Sequence, residues 1–171
     1  MSLFEITPKV DETQEFIEIA NDFSNPLDLV REAISNAYDA QATKISIFFE
    51  VIKEYGEAIL KIILKDNGEG MDEKGLQSFF DLGNSLYRDN PETIGEKGHG
   101  TKVYFNSKKI VVKTTRNGKA YHAVMHEPFK NLHDRIIPKV QVDANDNLDP
   151  SSITKCNTEE NRISFVYEKT I

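Results

Sequence analysis

The chain's apolar residues follow two different periods, and the changes of period divide it into elements. Phe16, Ile19, Ala20 and Phe23 recur at helical spacing and predict a helix over Thr13–Phe23. Ser24-Asn25-Pro26 supplies a polar cap and a proline in the first turn, which predicts a second helix from Leu27 to Ala40. Lys44–Val51 is rich in β-branched and aromatic residues, and so is Ala58–Leu64. Lys53-Glu54-Tyr55-Gly56-Glu57 between them can turn, so the two runs read as an antiparallel hairpin. Asp66–Gly70 is a glycine-containing loop, and a short helix over Asp72–Leu82 is expected to stop at Gly83. Asn84–Glu96 is polar and reads as a mobile loop or lid. Gly95–Lys102 is a second glycine-rich loop, expected to run into a helix through Asn106. Lys109–Thr115 and Ala120–His126 flank Arg116-Asn117-Gly118-Lys119, where Asn-Gly is a hairpin turn signal. Ile136–Val142 and Arg162–Glu168 are two further strands, separated by an acidic, polar loop over Val142–Asn161. Three helices beside a mostly antiparallel sheet predict an α+β fold, not repeating βαβ units.

Composition narrows the picture without naming a chemistry. A length of 171 residues suits one domain with its own core, spanning 1–171. The net charge of −7 argues against a broadly basic nucleic-acid surface. The lone cysteine, Cys156, has no internal disulfide partner, which fits a reducing compartment. No apolar run is long enough for a membrane span, and Met1-Ser2-Leu3-Phe4-Glu5 lacks the basic-then-apolar pattern of a secretory signal. A cytoplasmic location away from the membrane is the expectation.

Three short segments carry candidate chemistry. Glu32, Asn36 and Asp39 stand at i, i+4 and i+7, one above the next on a single helix face. A solvated face has the same spacing. However, Asn and Asp compete for the helix backbone, and exposed faces are more often built from Lys, Glu, Arg and Gln. Short oxygen ligands there suit a hard cation beside phosphate oxygens, or a carboxylate that positions or deprotonates water. In the second segment, Asp66-Asn67-Gly68-Glu69-Gly70-Met71, a strand-ending carboxylate precedes two alternate glycines. That is ordinary turn chemistry. It also suits Asp66 accepting a hydrogen bond from an exocyclic amine, with close backbone approach to a flat ring and Met71 packed on its face. The third, Gly95-Glu96-Lys97-Gly98-His99-Gly100-Thr101-Lys102, has three glycines in six positions flanked by lysines and a threonine. Such a loop can be merely flexible, or it can turn backbone N–H groups onto phosphate at a helix start. It is not a Walker A loop, since it lacks the Gly-Lys-Ser/Thr ending. His99 has neither nucleophile nor metal ligands to pair with.

Taken in order, Glu-x-x-x-Asn-Ala-x-Asp-Ala, Asp-x-Gly-x-Gly-Met and Gly-x-x-Gly-x-Gly-Thr-Lys resemble the GHKL ATPases. These comprise gyrase B, the ninety-kilodalton heat-shock chaperone, histidine kinases and MutL. The resemblance runs from about Leu27 to Val112 and fits the hydrolase members, particularly the chaperone-like and MORC-like group. It implies the Bergerat fold, an α/β sandwich with ATP between helices and sheet. Glu32 then corresponds to the general base that activates water, and Asn36 to the protein ligand of magnesium. Asp39 and Ala40 would line the nucleotide pocket. Asp66 is similar to the aspartate that binds the adenine amine, with Gly68, Gly70 and Met71 shaping that pocket. Gly95, Gly98, Gly100 and Thr101 would border the phosphates together with His99, and Lys97 or Lys102 would contact them. Leu82-Gly83-Asn84-Ser85 resembles the segment that opens the family's lid. Arg88 falls one place later than the basic residue expected there. The family's late-strand threonine is not aligned around Arg162-Ile163-Ser164-Phe165, where Thr154 and Thr158 both remain open.

The kinase members commonly carry Asn where Glu32 stands, and none of the four histidines precedes His99. Phosphoryl transfer to water is therefore favoured over a histidine kinase-type phosphotransfer. The expected activity is an ATPase, weak in isolation, driving conformational change in a longer protein that dimerises on binding ATP. The alternative is a nucleotide-gated interaction module with little turnover. The client, protein or nucleic acid, is not legible in the sequence.

Overall fold

The computed structural model describes Glu5, Thr7 and residues 9–22, 27–81, 100–145 and 163–170. Its first half contains helices α1 (Glu12–Asp22) and α2 (Leu27–Asp39), strands β1 (Ile45–Glu54) and β2 (Glu57–Asp66), and helix α3 (Glu73–Phe80). A 3₁₀ helix (Gly100–Phe105) follows, then β3 (Lys109–Arg116), β4 (Lys119–His126), α4 (Pro128–His133), β5 (Val140–Asn145) and β6 (Ile163–Thr170). The six strands form one sheet in the order β1-β2-β6-β3-β4-β5, with every neighbouring pair antiparallel. The fold is α+β, as expected.

Both sequential hairpins close through two-residue turns with positive φ, Tyr55 and Gly56 at 50° and 86°, and Asn117 and Gly118 at 51° and 78°. Such turns match the right-handed twist of the strands they join. The alternating residues Ile62 and Leu64, Ile110 and Val112, and Tyr121, Ala123 and Met125 form the sheet's contribution to the core. Ala20, Leu29, Ala33, Leu76, Phe80, Val103 and Leu132 cover them from the helices. Burying one such large apolar side chain contributes about 1.5–3 kcal/mol, so this one-sided layer holds the elements that carry the polar residues.

The described structure differs from the sequence expectations at β1, α4 and β5, and α3 ends at Phe80 instead of Leu82. β1 runs on to Glu54, which shortens the expected turn to Tyr55-Gly56. Helix α4 was not anticipated, because its six residues are too few to show a helical period, although Pro128 occupies its first turn. The strand expected over Ile136–Val142 begins only at Val140. Pro138 has no N–H to give a ladder, and the exposed Ile136 bonds back to the Asn131 carbonyl instead. Last in sequence, β6 lies between β2 and β3 in the middle of the sheet. The expected cap at Ser24-Asn25-Pro26, the lid Asn84–Glu96 and most of the loop Val142–Asn161 lie outside the described residues, together with Cys156.

Candidate functional site

Helix α2 buries Leu29, Ala33 and Ala37, and this fixes its rotation. Glu32, Asn36 and Asp39 consequently share a half-buried face. The 3₁₀ helix closes over this face at Gly100. A Cβ built on Gly100 would lie 1.9 Å from the carboxylate carbon and Oε1 of Glu32 and 2.1 Å from Oε2. The carboxylate thus rests directly against backbone. Burial raises the Glu32 pKa above its ordinary 4.5. The Asn36 amide opposes that rise, Asp39 adds to it, and Lys102 and Arg31 oppose it. Tyr104, 1% exposed, is close enough to Asn36 and Glu32 to be influenced by both.

The Asp66 loop docks on the end of the same helix. Glu69 N–H donates to the Ala40 carbonyl at 2.8 Å, and a Cβ on Gly68 would lie 2.7 Å from that oxygen. Asp66 is 4% exposed, and its Oδ1 accepts the Gly68 N–H at 2.8 Å. Burial raises its pKa and the Gly68 bond opposes that. Among the described residues the carboxylate makes no other hydrogen bond, so Oδ2 keeps its acceptor capacity.

Three further residues hold this loop, and none was singled out from sequence. Asn67 Oδ1 accepts the N–H groups of Thr43 and Lys44, each at 2.9 Å, and its Nδ2 donates to Thr43 Oγ1 at 2.9 Å. Arg116 pairs with Glu69 at 3.0 Å and donates to the Gly70 carbonyl at 3.4 Å. Thr114, 2% exposed, accepts the Met71 N–H at 2.7 Å. Register explains its position, since Asp66 and Thr114 both pair with Ile163 of β6. A buried threonine therefore stands in Asp66's row of the sheet, on β3 and not on the last strand. Its sequence signal was weak, because a threonine inside a β-branched run is unremarkable. Gly70 has φ of +74°, and a Cβ there would lie 2.1 Å from the Thr115 carbonyl oxygen.

Lys102 and Thr101 turn toward α3. Thr101 Oγ1 donates to the Phe79 carbonyl at 2.8 Å, and Lys102 Nζ donates to that carbonyl at 3.1 Å and to Thr101 Oγ1 at 2.7 Å. Lys102 is fully buried. Burial lowers its pKa to about 8, while Asp81 and Glu32 act to raise it. The structure thus brings together Glu32, Asn36, Asp39 and Gly100, and joins Ala40 to the Asp66–Met71 loop. Gly95, Lys97, Gly98, His99, Arg88, Thr154 and Thr158 lie outside the described residues.

The donor set fits magnesium held jointly with phosphate. Asn36 Nδ2 is buried without a hydrogen-bond partner, and the amide lies beside the Glu32 carboxylate. Turning it would offer the oxygen, a suitable ligand for a hard cation. Among the described residues no cluster of three or more His, Cys, Asp or Glu could form a cage of its own. None of the described helices is long and apolar enough to cross a membrane.

An antiparallel sheet backing one polar helix face, with the Asp66 glycine loop and the Gly100 backbone set against that helix, fits the ATP-binding Bergerat class. Residues 25–159 match the family described as histidine kinase-, DNA gyrase B-, and HSP90-like ATPase. The chain belongs to this family, and so to the GHKL superfamily. It is 33% identical over 105 residues to the DNA mismatch repair protein MutL of Thermosipho africanus (strain TCF52B), covering 58% of this chain and 17% of that protein. With MutL of Staphylococcus carnosus (strain TM300) it shares 29% over 108 residues, covering 60% of this chain and 16% of that protein. The chain thus spans about a sixth of the length of these relatives. The crystal structure of the N-terminal domain of a DNA repair protein superposes with a TM-score of 0.51 at 20% identity. That match covers 90% of this chain and 38% of the other, and it bears on the fold alone.

Proposed function

We propose that residues 1–171 are one ATP-binding domain of a longer protein, and that it hydrolyses ATP with magnesium to drive conformational change in that protein. The observation that carries this reading is the Glu32 carboxylate, half-buried against the Gly100 backbone and one helical turn from Asn36. In the proposed reaction Glu32 accepts the proton of a water attacking the γ-phosphorus, and the bond from that phosphorus to the bridging oxygen breaks to release ADP. Such a base contributes about 10²–10⁴-fold. Asp66 Oδ2 accepts the adenine amine, while Gly68, Gly70 and Met71 shape the ring pocket beside Ala40 and Asp39. Asn36 is the magnesium ligand. Magnesium, when bound, offsets charge on the phosphate oxygens. Gly95, Lys97, Gly98, His99, Gly100 and Thr101 border the phosphates.

A second reading is a nucleotide-gated protein-interaction module with little or no turnover. On either reading ATP binding promotes homodimerisation of the full-length protein, in the cytoplasm. The test is Glu32→Gln, with ATP affinity measured by calorimetry and hydrolysis in a single-turnover assay. Retained binding with turnover reduced about 10²-fold or more supports the base. Equal turnover in wild type and variant refutes it. Binding without turnover in the wild-type chain favours the gated module.

A further inference from the structure

Lys102 belongs to the glycine-rich segment whose relatives suggest phosphate contact, yet its ammonium is fully buried and occupied elsewhere. It meets the last turn of α3, where helix carbonyls lack intrahelical partners and carry partial negative charge. The Phe79 carbonyl accepts both from Lys102 Nζ and from Thr101 Oγ1, so two successive side chains of the 3₁₀ helix clasp one atom of α3. Phe79 also stacks on Tyr104 of the same 3₁₀ helix, with centroids 5.8 Å apart and planes 13° from parallel. Gly100, at the start of this clasped segment, abuts the Glu32 carboxylate.

We infer that Lys102 is a positioning residue for Glu32, pinning the 3₁₀ helix to the end of α3 and so holding the Gly100 backbone against the carboxylate. It binds no phosphate. The inference rests on the proposal that Glu32 is the base. Two charges complete the arrangement, Glu32 on α2 and Asp81 immediately after α3, and both favour the charged lysine against its burial. Glu32 and Asp81 thus both act on the same buried cation.

The test compares Lys102→Met with Glu32→Gln in single-turnover hydrolysis, with ATP affinity measured for each. Lys102→Met should bind ATP within about threefold of wild type and lose turnover about tenfold or more, since the loss lies in geometry and not in ligand contact. ATP affinity weakened tenfold or more would overturn the inference by making Lys102 a ligand contact. Wild-type turnover in Lys102→Met beside an inactive Glu32→Gln would overturn it alone. Wild-type turnover in Glu32→Gln would remove the base itself, and this inference with it. Amine labelling of the wild-type chain, read by mass spectrometry, decides the matter should Lys102→Met fail to fold. Lys102 should react far more slowly than exposed Lys74, at a rate ATP does not change. Rapid labelling that ATP suppresses would overturn the inference.

Discussion

Replacing Gly100 by alanine would test how closely Glu32's position is bound to its role. The new methyl group would start 1.9 Å from the carboxylate carbon and Oε1. To reach ordinary contact at about 3.4 Å the carboxylate must retreat by roughly 1.5 Å. The obstructing atoms are the far end of a flexible side chain, so the fold can yield locally. Moving Glu32 off its preferred rotamer costs about 0.5–1.5 kcal/mol. Alanine in a backbone conformation it tolerates returns about 0.4–1 kcal/mol through the unfolded chain. Net stability should therefore change by less than about 1 kcal/mol. Catalysis should change far more, because a displacement of about 1 Å costs on the order of 10²-fold, or about 2.7 kcal/mol of barrier. Thermal melting, ATP calorimetry and single-turnover hydrolysis together read this pattern. The expected result is a small shift in melting, near-normal ATP affinity and turnover down about 10²-fold. A folded Gly100→Ala protein turning over at the wild-type rate would refute the link between carboxylate placement and hydrolysis.

Asp66→Asn should separate binding from stability. It removes a charge-assisted acceptor for the amine, and a loss of about 1.5–3 kcal/mol corresponds to roughly 10–150-fold weaker ATP binding by calorimetry. Because the fold raises the Asp66 pKa, the native state binds this proton more tightly than the unfolded chain, and stability falls as pH rises through the raised value. The variant should therefore melt no lower than wild type at neutral pH, and a clearly lower melting temperature would count against this account. Thr114→Val removes the acceptor of the Met71 N–H and should cost about 1–3 kcal/mol in denaturant unfolding, whereas an unchanged midpoint would mean that water replaces the hydroxyl. The pH–rate profile should lose activity as pH falls through a Glu32 pKa above 4.5, since only the ionised carboxylate accepts a proton. An acid limb at or below 4.5 would contradict that assignment.

Local chemistry was legible in the sequence, while partners across the sheet were not. The spacing of Glu32, Asn36 and Asp39 defines a helix face without tertiary information, and the burial of Leu29, Ala33 and Ala37 orients it. Asn117-Gly118 likewise specifies its turn through backbone conformation alone. Nothing local to Ile163–Thr170 indicates that this strand lies between β2 and β3, because strand order is set by burial of the whole sheet. The role of Thr114 depends on that order, which puts it in register with Asp66 two strands away. Lys102 shows the same limit. A lysine beside glycines suggests phosphate chemistry until the carbonyl of Phe79, far from it in sequence, is found occupying its ammonium.

The glycines themselves have a different basis from the one their motif suggests. Flexibility and phosphate binding both explain a glycine-rich loop in sequence, yet Gly68 and Gly100 are required here by proximity. Gly68 would drive a Cβ into the Ala40 carbonyl and Gly100 would drive one into the Glu32 carboxylate, whereas Gly70 also needs its φ of +74°. The Asp66 loop and the 3₁₀ helix thus approach α2 through bare backbone, one at Ala40 and the other at Glu32. At Gly68 a side chain would press on the Ala40 carbonyl and push the loop from the helix, whereas at Gly100 it would displace the Glu32 carboxylate itself. It follows that substitutions at Gly68 and Gly100 should perturb different steps, since one glycine holds the loop of the proposed amine acceptor and the other holds the proposed base.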